Sequence, residues 1–133
     1  MHKLFLDFKR GIMELKQYII ESSRTCPDLG IDFNNQMHMT IGISTEAGEL
    51  LDAYKKKFAY NKSLDKTNVA EEIGDLCWYI ANLCRILNLD LEEILQNNID
   101  KLRSRYPEKF TEENANNRNL EEERKILEKL GFE

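Results

Sequence analysis

The chain has 133 residues, 32% of them charged, and a formal net charge of −5 with a pI near 5.2. Such a length predicts one domain whose modest core would gain from association between copies. The acid excess excludes a grip on DNA or RNA through the phosphate backbone, which needs a basic face. No apolar run approaches the ~20 residues that span a bilayer. The first residues, Met1 to Asp7, carry no signal-peptide core, so the expected location is cytoplasmic.

Two prolines and six glycines suit a chain that is mostly helix. Leu4, Phe8, Ile12, Leu15 and Ile19 step by three or four, which predicts an amphipathic helix over about 4–23, slightly weakened at Gly11. Thr25 to Gly30 carries Pro and Gly and reads as a connection. A second helix is predicted over about 34–59, capped by Asp32 or Asn34, with Met37, Ile41, Ile43, Ala47, Leu50, Leu51 and Tyr54 as its stripe. Gly42 and Gly48 should let another backbone approach it, and Lys55, Lys56 and Lys57 suit its C-terminal end.

Asp65 is the expected cap of a third helix. Its Val69, Ile73, Leu76, Cys77, Ile80, Leu83, Cys84 and Leu87 make it the most apolar segment and the expected centre. Cys26, Cys77 and Cys84 have no metal-site spacing and read as small buried hydrophobes in a reducing compartment. Asp90, three before Glu93, should cap a fourth helix over about 91–105, closed by Pro107. After a polar stretch from Thr111, a short charged helix over about 119–130 has only Leu120, Ile126, Leu127 and Leu130 for apolar contacts, with Gly131 as its stop. It should pack on a neighbour, in cis or across a dimer. The expected organisation is a catalytic helical domain over 1–107 and a C-terminal arm and helix over 108–133.

Two acidic stretches carry the chemistry. Glu46 with Glu49, and Glu72 with Asp75, are pairs three residues apart, so each points to one side of its helix. Two such helices can gather four carboxylates at one point, as helical proteins do for hard cations that demand oxygen. A carboxylate set favours Mg²⁺ or Mn²⁺ over zinc or copper, and no Glu-x-x-His pair supports a di-iron centre. Along the third helix the acidic edge continues into Tyr79 and Asn82, an aromatic and an amide fit for a nucleobase pocket. Acids at this spacing also line the solvent face of many helices, and a lone histidine such as His38 is ordinarily structural or solvated.

Glu46-Ala47-Gly48-Glu49, a gap of 22 residues, and Glu72-Ile73-Gly74-Asp75 resemble the hallmark of the MazG-like nucleotide pyrophosphohydrolases, in the all-α NTP pyrophosphatase superfamily. That hallmark is E-E-x-x-E, a spacer, then E-x-x-D. His38, Trp78-Tyr79, and Asn98 through Tyr106-Pro107 extend the likeness over about 34–107. The resemblance implies an all-α bundle of four main helices plus a short C-terminal helix, completed by dimerisation; homodimers and homotetramers both fit. It implies Mg²⁺-dependent hydrolysis of a nucleoside triphosphate to the monophosphate and pyrophosphate, a nucleotide-pool reaction.

By the same likeness Glu46, Glu49, Glu72 and Asp75 hold the metal, and His38 and Tyr79 line the nucleoside pocket. Asn98, Lys101 and Arg105 approach sugar and phosphates. The first Glu of the hallmark is Thr45 here, which leaves Glu46 or Glu71 as general base, or metal-bound hydroxide without a separate base. Phosphoribosyl-ATP pyrophosphohydrolase shares the fold and a parallel reaction, and a non-catalytic helical interaction module is the rival from outside enzymes.

Overall fold

The structure, a computed structural model, describes residues 11–132. Among them are six α-helices and no strand: α1 Leu15–Ser23, α2 Asp32–Tyr60, α3 Lys66–Ile86, α4 Leu91–Arg105, α5 Glu112–Asn116 and α6 Leu120–Glu128. The all-α class follows from a chain poor in helix breakers and rich in 3.6-residue periodicity. The chain forms two compact units, Met1–Asn88 and Leu89–Glu133. The boundary expected after residue 107 falls within the second of these units.

In the first unit α3 is the shared partner, with both α1 and α2 packed on it. Met39 and Ala53 of α2 and Ala81 and Cys84 of α3 are buried in the core. Asn82 is fully buried there, and its amide donates to the carbonyls of Trp78 at 3.0 Å and Ser22 at 3.4 Å, which satisfies it. Trp78 in turn donates from Nε1 to the Thr25 hydroxyl at 3.0 Å, fastening the connection after α1. Helix α3 starts where Asp65 predicts, its carboxylate accepting the N–H groups of Thr67 and Asn68.

Several details depart from expectation. The predicted first helix ran from residue 4; residues 4–10 and His2 lie outside the described residues, and 11–14 are not helical. Gly11 disfavours helix, and Ile12 is 98% exposed. Helix α2 begins earlier than predicted: Asp32 is inside it, and the cap position is Ile31, whose side chain accepts nothing. The preceding turn is braced instead by Asp28, which accepts from Gly30 N–H at 2.8 Å and Asn35 Nδ2 at 3.1 Å.

A Cβ on Gly42 would overlap the Tyr79 ring, so this glycine admits a side chain of α3 rather than a backbone. Gly48 faces open space. Of the three cysteines only Cys84 is buried; Cys26 is half-buried and Cys77 exposed, on an edge of α3 where Ile73 and Ile80 are exposed as well.

In the second unit α6 packs on α4. Asp90 caps α4 by accepting from Glu92 and Glu93 N–H. Leu120, expected as a contact of the last helix, is 63% exposed. What anchors α6 is Glu123, buried at 4% exposure between Arg105 and Arg118. The short helix α5, capped by Thr111, was not predicted.

Candidate metal centre

Helices α2 and α3 bring three of the four predicted carboxylates together. One oxygen each from Glu46, Glu72 and Asp75 lie within 4.8 Å of one another. Glu72 is buried, Glu46 half-buried and Asp75 exposed, so the group runs from the interface of the two helices out to solvent. Glu72 and Asp75 share a side of α3 because they are three apart. Glu46 reaches them from α2, the helix packed most extensively on α3.

No Lys or Arg among the described residues forms an ion pair with these three acids. Like charges gathered in one place resist ionisation. The Glu46 carboxyl is accordingly pushed above the usual carboxylate range, first by burial, then by its hydrogen bond with Glu72, then by the charges of Asp75, Glu72 and Glu49. Glu72 has one further partner: Asn68, a turn earlier on α3, donates from Nδ2 to Oε1 at 2.6 Å.

The remaining predicted residues of the first unit lie on the same two helices. Glu49 is exposed, near enough to raise Glu46 but outside the close triangle. Glu71 is exposed beside Glu72. Thr45, in the position of the hallmark's first acid, donates its hydroxyl to the Gly42 carbonyl at 3.0 Å, a bond within its own helix. The half-buried Tyr79 ring lies over Gly42, edge-on to Trp78 at 4.9 Å and to His38 at 6.0 Å. His38 Nδ1 is buried with no hydrogen-bond partner. Leu29, Asn34, Met37, His38 and Ile41 line a cleft of about 420 Å³.

Asn98, Lys101 and Arg105 lie on α4, in the second unit. Asn98 is exposed and Lys101 half-buried. The Arg105 guanidinium forks onto Glu123, with Nε at 2.8 Å from Oε1 and Nη2 at 2.9 Å from Oε2. That pairing holds the Glu123 carboxyl down to about 2 and raises Arg105.

Two site neighbours escaped the sequence reading. One is Asn68, whose only signal was its spacing of four before Glu72. The other is Tyr18 of α1, whose hydroxyl donates to the Gly74 carbonyl at 3.4 Å, next to Asp75. Burial, with the nearby Cys77 and Asp75, raises the Tyr18 hydroxyl above its ordinary value and keeps it neutral.

The residues fit a divalent cation. Octahedral Mg²⁺ holds oxygens at about 2.1 Å, so neighbouring ligands stand about 3 Å apart and opposite ones about 4.2 Å. Three oxygens already within 4.8 Å need only small side-chain movements to meet that shape. The donor set is hard and anionic, and a dication would offset the repulsion that raises Glu46.

A family model described as the MazG nucleotide pyrophosphohydrolase domain matches residues 34–110, a span that holds Glu46, Glu72 and Asp75. The chain is also similar to the Gene 37 protein of Mycobacterium phage L5, at 33% identity over 72 residues. That alignment takes in 51% of this chain and 63% of the phage protein, so the chain matches less than two thirds of the relative's length. No solved structure matches significantly.

Proposed function

Since the chain belongs to the MazG nucleotide pyrophosphohydrolase family, we propose that it is a Mg²⁺-dependent hydrolase converting nucleoside or deoxynucleoside triphosphates to the monophosphate and pyrophosphate. The observation that carries this reading is the convergence of Glu46, Glu72 and Asp75 inside the matched segment. In the reaction, water attacks the α-phosphorus, the bond from that phosphorus to the α–β bridging oxygen breaks, and pyrophosphate leaves with the electron pair. Mg²⁺, or Mn²⁺ in its place, supplies charge neutralisation and polarisation of the phosphoryl oxygens when bound.

The chain's own groups have separable tasks. Glu46, Glu72 and Asp75 hold the cation, with Glu49 at the solvent side as a fourth carboxylate. Thr45 brings no charge, and its hydroxyl is turned to Gly42, which leaves Glu46 or Glu71 as general base, or no separate base at all. His38 and Tyr79 line the nucleoside side, where the apolar cleft and the unpartnered Nδ1 suit a base edge. Glu46 follows His38 by eight positions, about 12 Å along α2, a reach suited to a base at one end and phosphates at the other. Asn98 and Lys101 are the α4 groups proposed for sugar and phosphate. Arg105, taken up by Glu123, joins them only if that pair opens.

The reading includes self-association. Ile41 at 54%, Leu51 at 70%, Phe58 at 93% and Ile73 at 50% exposure leave much apolar surface on α2 and α3. Such surface marks an association face, and a second copy of the chain, giving a homodimer or homotetramer, is its proposed partner. Nucleic acid and membrane are not proposed as partners: the net charge is −5, and no helix among the described residues is long and apolar enough to cross a membrane. The proposed setting is the cytoplasmic nucleotide pool.

The test is pyrophosphate release from a panel of NTPs and dNTPs, with Mg²⁺ and with EDTA. The expected result is metal-dependent release matched by monophosphate. Absence of release across the panel, with the chain folded and metal present, would overturn the reading.

A further inference from the structure

Asn68 lies outside the acidic hallmark, one turn before Glu72 on α3. Its backbone N–H is held by the Asp65 carboxylate at 3.1 Å, and its side-chain amide donates to Glu72 Oε1 at 2.6 Å. The cap of the helix and the buried acid are thus joined through one residue. Glu72, only 7% exposed, has little water to orient it, and its other near neighbours in the group are the like-charged Glu46 and Asp75. With all three acids ionised, repulsion would turn its carboxylate away from the others.

A primary amide stays a donor throughout the pH range in which carboxylates titrate. A carboxylate offers about four lone-pair positions, so one accepted bond leaves room for a cation. What that bond removes is rotation about the last side-chain torsion. Building on the metal site proposed above, we infer that Asn68 is a positioning residue that fixes the Glu72 carboxylate in the orientation at which its oxygen meets those of Glu46 and Asp75. It touches neither substrate nor metal. Residues of this kind around a metal typically govern affinity by about 10–100-fold.

The experiment measures Mn²⁺ binding to the full chain, without nucleotide, by electron paramagnetic resonance at fixed pH. Wild type, Asn68→Leu, Asn68→Gln and Glu72→Gln are compared, with melting of each metal-free chain followed by circular dichroism. Asn68→Leu has nearly the original volume and favours helix, so it tests the lost donor in a folded chain. Mn²⁺ affinity should fall about tenfold or more in Asn68→Leu, with metal-free melting unchanged. Asn68→Gln, which keeps a donor, should bind more tightly than Asn68→Leu. Under turnover, Asn68→Leu should need about tenfold more Mg²⁺ for half-maximal rate and recover most of its kcat when saturated.

Equal Mn²⁺ binding by wild type and Asn68→Leu would overturn the role of Asn68 alone. Loss of affinity matched by loss of metal-free melting temperature would reassign Asn68 to the fold and overturn it equally. A wild-type chain that binds no Mn²⁺, no better than Glu72→Gln, would remove the metal site and this inference with it.

Discussion

Each compact unit buries a glutamate, and the two have opposite surroundings. In the second unit Glu123 sits between two arginines: Arg105 forks onto both oxygens, and Arg118 Nη2 lies 2.6 Å from Oε2. In the first, Glu72 sits with Glu46 and Asp75 and accepts a hydrogen bond from the neutral amide of Asn68. One carboxylate is held well below its ordinary range, whereas the Glu46 beside the other is pushed above it. A buried charge with its counter-charges built in is a fastening. A cluster of one sign with no counter-charge among the described residues points instead to a cation from outside.

The largest effects should come from the unbalanced cluster. Glu72→Gln or Asp75→Asn should lower turnover by more than about a hundredfold, since losing even a supporting group near a metal costs 10–100-fold. Metal-free melting should hold or rise as repulsion is relieved. Wild-type activity of either variant at limiting Mg²⁺ would break the contrast between the units.

Glu123→Gln should do the reverse. It leaves two guanidinium groups without their carboxylate, so α6 should loosen from α4 and the melting temperature fall, while Mn²⁺ affinity stays at the wild-type value. Amide exchange resolved by residue would localise the change to the second unit. The same ion pair sets a pH dependence. Glu123 titrates near 2 in the folded chain, below its unfolded value near 4.5, so its contribution is complete above about pH 4.5 and lost as the pH falls toward 2. Acid titration of Glu123→Gln should therefore lack that part of the wild-type loss.

Smaller effects sharpen the first unit. Gly42→Ala should destabilise by about 1–3 kcal/mol, because the added methyl overlaps the Tyr79 ring and forces it off α2. Asp65→Ala should cost about 1 kcal/mol in urea unfolding through loss of the α3 cap.

Much of this was legible in the sequence where the cause is local. Asp65 and Asp90 act as caps because a short carboxylate reaches the next free N–H groups, and α3 and α4 begin there as read. Glu46, Glu72 and Asp75 meet because three-residue spacing fixes a helix face and the two helices pack closely. The extent of that meeting was not legible: whether Glu49 joins the triangle depends on how α2 is rotated against α3, which periodicity sets only coarsely. Glu123 escaped for a related reason. Its main partner, Arg105, is 18 residues away, and a charged residue at an inward position reads as an error until its counter-ions are seen. Helix α5 has five residues, too few to repeat a pattern, although Thr111 three before Asn114 was a capping signal. Cys77 follows the apolar rhythm of α3 yet is exposed, because rhythm marks an apolar face and not the neighbour that covers it.

That exposed thiol has a practical consequence. Cys84 is buried, its thiol pushed up by burial, and Cys26 is half covered, so a thiol-directed reagent should reach Cys77 first. Two residues from Asp75, Cys77 is a native attachment point for a fluorophore or spin label, close enough for a paramagnetic ion among the acids to quench its signal. The rate at which it is labelled, followed against protein concentration, would read how freely that edge of α3 meets solvent.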